Sequence, residues 1–541
     1  MTPGLLDFVL EASVWDEPGQ DLLPAVLDTL SQAFTVTPEA GVPGARRRTW
    51  LDTFDWRLYR AGLMLQFEQA RRGGRLLLSR ADGTPQAEQP VTGWSPRRPA
   101  LDLPPGPVRD RIMVLISPRA LLPIVRATST VSVMRLLNAD GKTVARLVAE
   151  HITVTAVAVG PTRAGSISVG TTAELPLRLA VGTVRGYPAQ ARKAAGLLAE
   201  VAGVSHSSQS VFTAALAALG RHPADYTSGV DAEITATMPG SIAVARLLLR
   251  LLDTLEQNVD GVLRDIDTEF LHDLRVAVRR TRSAIKLLGE VLPADLAKHY
   301  AAEFKWLGDL TTPTRDLDVH LLGFGPMTGQ LVAATPADLE PFRAFLVKRR
   351  AREFRRLATA LRGPRFRAIT DDWRKVLLEI RDAAPRRRRR EPTAAGLALR
   401  TTERAFGRVV AQGDAITQDS PPESLHDLRK RAKELRYLLE FFAPLHDPVA
   451  YRKVVGDLKS LQDCLGDFQD SQVQREEIHA LADAMLAERA APAATLLAMG
   501  EIAAKLTLSQ AGARAEFARR FARFAGPAGQ ERVRVLLQGQ P

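Results

Sequence analysis

The chain has 541 residues, enough for two or three domains with cores of their own. Its 45% apolar and 25% charged content is that of a globular protein and excludes a fibrous or wholly disordered one. A net charge of +12 favours anionic partners, but it divides as +5 over residues 1–230 and +7 over 231–541, so placement of charge matters more than its sum. Cys464 stands alone, so no internal disulfide forms, which fits a reducing compartment. Met1 to Ala12 shows no basic stretch followed by an apolar core, so no signal peptide is expected. No uncharged apolar run reaches the roughly 20 residues of a membrane helix. Leu247 to Leu255 is interrupted by Arg250 and Asp253. The expectation is a soluble, cytoplasmic protein without a membrane partner.

Short alternating or β-branched runs come first: Arg75–Ser79, Arg111–Ser117, Thr130–Leu137 and His151–Val159. Asp82-Gly83 and Asp140-Gly141 signal turns between them. A helix is expected at Pro188–Val201. Residues 1–230 therefore read as an antiparallel, β-rich domain with some helix. From 240 the apolar period becomes helical. The expected helices are Ile242–Ile266, Glu269–Gly289, Leu296–Leu310, Asp338–Leu361, Phe366–Ile380, Thr393–Gln412, Pro422–Phe442, Val449–Leu465, Gln469–Arg489 and a C-terminal set. Short loops between them imply antiparallel bundles. The fold class is α+β and multidomain, with an all-α part over 240–541. Arginines 386 through 390 stand between Pro385 and Pro392. Five adjacent like charges suit a solvated linker, with an auxiliary anion contact as the alternative.

The all-α part repeats itself. His272-Asp273-Leu274-Arg275 recurs as His426-Asp427-Leu428-Arg429, 154 residues on. Arg279 and Arg282 follow the first, Lys433 and Arg436 the second. The same offset pairs Lys305 with Lys459, Asp309 with Asp463, Asp316 with Asp470 and Val319 with Val473, with no gap over 48 positions. This argues for one structural unit built twice. The expected boundaries are 240–383 for repeat one, 384–394 for the linker and 395–541 for repeat two.

At 100° per residue, His272, Arg275, Arg279 and Arg282 fall within an arc of about 80°. Leu274, Val278, Ala284, Ile285 and Leu288 occupy another arc. In the second copy His426, Arg429, Lys433 and Arg436 form the stripe, and Leu428, Leu435, Leu438 and Leu439 the apolar side. Guanidinium forks match phosphate oxygens and hold their charge at any relevant pH. A basic stripe on one helix is ordinarily a solvated face, but recurrence at the same four offsets points to a site. His272 and His426 serve either the ligand or the anchoring of their helices. Lys305 and Lys459 either touch the ligand or pair with Asp309 and Asp463 one turn on. Asp316 and Asp470 suit the orientation of basic side chains.

These doubled helices, with Leu307-Gly308-Asp309-Leu310, Arg315-Asp316-Leu317-Asp318-Val319 and Leu461-Gln462-Asp463-Cys464-Leu465-Gly466-Asp467, resemble the CHAD domain, the conserved histidine α-helical domain. The resemblance covers about residues 240–541. It implies two pseudo-twofold-related helical bundles, inorganic polyphosphate as partner and association with polyphosphate granules. Carried over, it implicates His272, Arg275, Arg279, Arg282 and Lys305, and His426, Arg429, Lys430, Lys433, Arg436 and Lys459, along a basic groove between the repeats. Residues Leu51-Asp52-Thr53-Phe54-Asp55-Trp56-Arg57-Leu58-Tyr59-Arg60-Ala61-Gly62-Leu63, with a later echo at Asn138-Ala139-Asp140-Gly141-Lys142, are similar to the CYTH triphosphate tunnel domain. That implies a tunnel or barrel over 1–230. The chain departs from the family's metal and substrate set. Leu10-Glu11-Ala12-Ser13-Val14 stands where Glu-x-Glu-x-Lys opens the family, and Leu65-Gln66-Phe67-Glu68 stands where Leu-Arg-x-Arg is usual. Glu174 is alone in its strand, with Arg178 beside it. Hydrolase activity is therefore not expected, and neither catalytic residues nor a metal or other cofactor are assigned. Arg57, Arg60, Arg80 and Arg126 are candidates for residual anion binding.

Two other functions compete. One is a metal-dependent triphosphatase in the N-terminal domain. The other is nonspecific nucleic-acid binding, disfavoured because the stripes lack interleaved aromatics for stacking. A metal phosphohydrolase built on His272-Asp273 is disfavoured, because no second His and Asp cluster stands at a suitable spacing.

Overall fold

The computed structural model describes residues 6–12, 22–40, 45–70, 73–92, 98–99, 102–157, 170–206, 209–383 and 391–538. The arginine run at 386–390 lies outside the described residues. The chain forms two compact units, Met1–Thr227 with Asp265–Glu269, and Ser228–Arg264 with Phe270–Pro541.

Among the described residues the first unit has twelve strands. They are β1 (Leu6–Ala12), β2 (Thr35–Pro38), β3 (Ala45–Asp52), β4 (Leu63–Gln69), β5 (Gly74–Arg80), β6 (Pro85–Val91), β7 (Arg98–Pro99), β8 (Ala120–Leu137), β9 (Thr143–Ala156), β10 (Thr172–Glu174), β11 (Leu177–Thr183) and β12 (Val204–His206). Its helices are α1 (Leu23–Ser31), α2 (Arg57–Arg60), α3 (Pro107–Ile116), α4 (Pro188–Ala199) and α5 (Val211–Ala218). The sheet order is β12-β1-β11-β9-β8-β3-β4-β5-β6, with β10 also on β9, and β2 and β7 also on β8. Every pairing is antiparallel.

The expected β-rich domain is present, but its sheet is open among the described residues where a tunnel or barrel was expected. Pro85 and Pro90 on the edge strand β6 lack the N–H that a further strand would need. The β8–β9 hairpin turns at Asn138–Lys142. There the Asn138 Oδ1 accepts the N–H groups of Asp140 and Lys142, and Gly141 takes a left-handed φ of 71°. The expected strand Arg111–Ser117 is instead α3. Pro107 opens that helix, and Val108, Ile112 and Ile116 recur every four residues on its buried side. Its run of apolar residues satisfied both periods, and packing on Leu65, Leu76 and Leu78 selected the helical one.

The helices of the second unit are α6 (Gly240–Leu263), α7 (Thr268–Leu288), α8 (Ala294–Leu322), α9 (Phe324–Thr328), α10 (Glu340–Leu361), α11 (Pro364–Asp382), α12 (Ala394–Asp414), α13 (Pro422–Phe441), α14 (Pro448–Ala487), α15 (Ala493–Ala525) and α16 (Pro527–Gln538). The 154-residue offset carries the first residues of α6, α7 and α8 onto those of α12, α13 and α14. It also carries the 3-10 turn Gly289–Val291 onto Ala443–Leu445. The repeat seen in the sequence is therefore a repeat of helices, and it extends upstream of the matching motifs.

Two helices are longer than expected. α8 continues past Leu310 to Leu322, through Pro313 on its exposed side, where the carbonyl left without a donor meets water. α14 is one 40-residue helix in place of two. Gly466, at the expected break, is buried with its α-carbon turned to the Arg429 guanidinium, 3.5 Å from where a Cβ would stand. The apolar arcs are buried as expected: Leu274, Val278, Ala284, Ile285 and Leu288 on α7, and Leu428, Leu435, Leu438 and Leu439 on α13. A second core joins the copies. Leu317, Phe342, Phe345 and Leu346 from the first pack with Ile478, Leu481, Met485, Met499 and Ile502 from the second.

Among the described residues no helix is long and apolar enough to cross a membrane. Gly413 of α12 faces the Phe521 ring of α15, and a Cβ there would stand 1.9 Å from a ring carbon. Gly413→Ala should therefore destabilise the chain by about 1–3 kcal/mol despite alanine's better helix propensity. Denaturant unfolding of the two proteins checks this.

Candidate functional site

α7 and α13 lie side by side and run antiparallel. Arg280 reaches Glu440 at 2.8 Å, and Lys286 reaches Glu434 at 2.6 Å. The repeat offset carries Arg280 to Glu434 and Lys286 to Glu440. The two bridges are thus equivalent by the internal symmetry, with their charges exchanged. Arg279 stacks over the Tyr437 ring at 6.0 Å. These contacts bring the two cationic stripes to one seam.

The two stripes are neutralised unequally. In the second copy Arg429 pairs with Asp470 at 2.9 Å. Arg436 pairs with Glu440 at 2.7 Å and donates to Gln462 at 3.2 Å. Lys430, exposed, pairs with Asp427 at 3.1 Å. In the first copy Arg275 meets neutral acceptors. Its Nη1 donates to Thr312 Oγ1 at 2.8 Å, Thr311 Oγ1 at 3.1 Å and the Gly308 carbonyl at 3.4 Å. Burial lowers its pKa, Asp316 opposes that, and Arg279 and Arg315 reinforce it. Arg279 and Arg282 are exposed and have no ion-pair partner among the described residues. Arg282 packs beside Gly308, where a Cβ would come within 3.0 Å of its Nη1.

Lys433 is the most perturbed group at the seam. It is half-buried and has no hydrogen-bond or ion-pair partner among the described residues. Burial, then Arg429 and Arg279, then Arg436 lower its pKa to about 8, against the raising effect of Asp470. A cation held beside three others without a counter-ion is a site prepared for an anion.

The remaining expected residues are placed as follows. His272 is half-buried on α7. His426 is half-buried, its Nδ1 2.6 Å from Gln469 Oε1, which orients the ring. Lys305 is exposed and paired with Asp309 at 2.7 Å. Lys459 is exposed on α14 and has no ion-pair partner among the described residues. Arg279, Arg429 and Arg436 all act on Lys433, and Arg279 also acts on Arg275. Sequence reasoning missed Arg280, Lys286, Glu434, Glu440 and Tyr437. A signal was available: the offset turns both basic residues into glutamates, a pattern expected where two copies face each other.

The first unit carries charge on one sheet face. Paired residues share a face, so the register places Arg48, Glu68 and Arg75 in a row across β3, β4 and β5, and Glu150 and Arg178 together across β9 and β11. Glu68 binds both Arg46 and Arg75, the latter at 2.6 Å, and Arg48 binds Glu150 at 2.5 Å. α5 covers the apolar end of the same face through Phe212 and Leu216 against Trp50, Val125 and Val154. Of the arginines expected to bind anions here, Arg57 bonds Asp55 and the Ile116 and Ser117 carbonyls, and Arg60 bonds the Tyr226 carbonyl. Arg80 and Arg126 point to the opposite face.

Fold and seam together define a protein with two sequence-related helical repeats that meet along cationic helices. Residues 246–479 match the family model of the CHAD domain, and this segment of the chain is a CHAD domain. An uncharacterized protein of Mycobacterium tuberculosis, Rv2226, is 25% identical over 280 residues, 48% of this chain and 51% of that protein. The chain thus spans about half the length of the curated relatives it matches. Among solved structures, a CHAD domain from the plant Ricinus communis is 23% identical. It covers 58% of this chain and 96% of its own, with a TM-score of 0.42. PptA from Streptomyces chartreusis is 18% identical and covers 52% of this chain and 99% of its own, with a TM-score of 0.40.

Lys433 has a consequence for stability. Its folded pKa lies below the ordinary 10.5, so the unfolded chain binds more protons between about pH 8 and 10.5. This group's destabilising effect is complete below pH 8 and fades as pH rises through that window. Lys433→Met should remove that pH-dependent component and raise stability at pH 7, as read by denaturant midpoints across pH 7–10.

Proposed function

We propose that the helical unit binds inorganic polyphosphate along the seam of α7 and α13, and that the protein associates with polyphosphate granules through it. The observation that carries this reading is the set of cations without an ion-pair partner among the described residues, Arg275, Arg279, Arg282 and Lys433, gathered from both copies. A flexible polyphosphate chain presents a charge at every unit and no bulky substituent. It can follow a line of guanidinium forks, each donating paired hydrogen bonds. Duplex or single-stranded nucleic acid fits less well. Tyr437, the aromatic at the seam, is buried against Arg279 and Phe441 and offers no open ring face to a base.

We read the first unit as a CYTH-like domain without catalysis. Arg46, Arg48 and Arg75 are already engaged by Glu68 and Glu150, so a substrate phosphate and a metal ion would both have to displace an ion pair. Tripolyphosphate incubated with the full chain and Mg²⁺ or Mn²⁺ should release no phosphate above buffer. Metal-dependent release lost on Arg48→Gln would overturn this part.

Titration with long-chain polyphosphate at two salt concentrations, with heparin and duplex DNA as controls, tests the main proposal. Affinity should fall with salt and exceed that for both controls. Arg279→Gln with Arg282→Gln should flatten the salt dependence by about 0.7 in log–log slope per lost contact, while helicity stays unchanged. Affinity should be level below pH 8 and weaken above it, because the bound polyanion favours protonated Lys433. Equal binding of all three polyanions would reduce the seam to a nonspecific basic surface.

A further inference from the structure

Lys433 differs in kind from the other lysines around it. Lys430, Lys305 and Lys286 each hold a carboxylate, at 3.1, 2.7 and 2.6 Å. Lys433 holds none among the described residues and is half-buried. The charged groups that act on it are Arg429 and Arg436 of its own helix, Arg279 of α7 and Asp470 of α14. Asp470 is itself engaged by Arg429. An amine desolvated beside fixed cations yields its proton more readily than a solvated one, and so becomes a nucleophile near neutral pH. The same guanidiniums are phosphate donors. A small electrophile carrying a phosphate would be anchored by them with its reactive carbon beside the amine.

We propose that Lys433 is a nucleophilic amine acylated by small acyl phosphates, and that this acylation turns off anion binding at the seam. The inference rests on reading the seam as an anion site and adds a covalent control to it. The deprotonated Nζ attacks the carbonyl carbon. The bond from that carbon to the phosphate-bearing oxygen breaks. Inorganic phosphate leaves with the electron pair, its charge met by Arg279 and Arg429. The nitrogen's surplus proton passes to solvent. No oxidant or reductant enters. The product is a neutral amide where the seam had a cation, with an acyl group occupying space beside the arginines.

The probe is acetyl phosphate, added to the full chain across pH 7–9, with acetylation of each lysine followed by peptide mass spectrometry. Lys433 should react at least about tenfold faster than Lys430 or Lys459, because burial and the neighbouring guanidiniums make its amine give up its proton near pH 8. Its rate should climb toward a plateau above pH 8. Tripolyphosphate should slow Lys433 and leave Lys430 unchanged. Arg279→Gln should lower the Lys433 rate at a fixed free-amine fraction, since the phosphate loses a donor. Acetylated protein should bind polyphosphate at least about tenfold more weakly, and the loss should track the fraction of Lys433 that is acetylated. Polyphosphate is titrated on the same unmodified sample. Retained binding with no selectivity for Lys433 sinks the acylation alone. Absent binding, with Lys433 no faster than Lys459, sinks both readings. Selective acetylation that tripolyphosphate does not slow overturns the anchoring role of the arginines and with it the proposal.

Discussion

The antiparallel pairing of α7 with α13 is the constraint on which the helical unit depends. Each helix buries one apolar arc in its own repeat, and each buried leucine or isoleucine contributes about 1.5–3 kcal/mol. That fixes the rotation of both helices. Once rotation is fixed, the basic stripes have no choice but to approach each other across the symmetry axis. Repulsion between two solvated like charges at about 4 Å is near 1 kcal/mol, so burial of the apolar arcs prevails. The bridges Arg280–Glu440 and Lys286–Glu434 set the register of the pair, and both remain largely shielded on their acidic side.

The symmetry is structural without being electrostatic. The second copy supplies its own carboxylates, Asp470 to Arg429 and Glu440 to Arg436. The first copy offers Arg275 hydroxyls and a carbonyl, which orient the guanidinium without neutralising it. A duplicated unit can thus specialise. One stripe becomes partly structural and the other keeps its charge available. Lys433 is the exception in the second copy, where the partner helix adds Arg279 to its surroundings and the carboxylate that acts on it, Asp470, is engaged by Arg429. A net positive seam in a ligand-free fold is a cost to stability, and such costs concentrate where function requires them.

The first unit shows the opposite arrangement. Its charged sheet face holds its ion pairs within itself, with Glu68 shared by two arginines and Arg48 nearly inaccessible against Glu150. Burial lowers the Arg48 pKa and Glu150 raises it back, the pattern of a guanidinium whose partner is built in. Desolvated pairs of this kind are costly to break, because the remaining charge is left buried alone.

The sequence alone determined the two-part organisation, the 154-residue repeat and the membership of each stripe. Those features rest on periodicity and on identical residues at a fixed spacing, which are local properties of the chain. It misjudged α3, whose apolar run fits either period, and it broke α14 at Gly466, a glycine that the folded chain carries inside one continuous helix. The strand order of the sheet, the charge-exchanged bridges and the unequal neutralisation of the two stripes were decided by tertiary structure. Whether Arg279 faces a carboxylate or a tyrosine depends on a helix more than 150 residues away. So does the proton affinity of Lys433, because burial and neighbouring charge exist only after the two copies have packed.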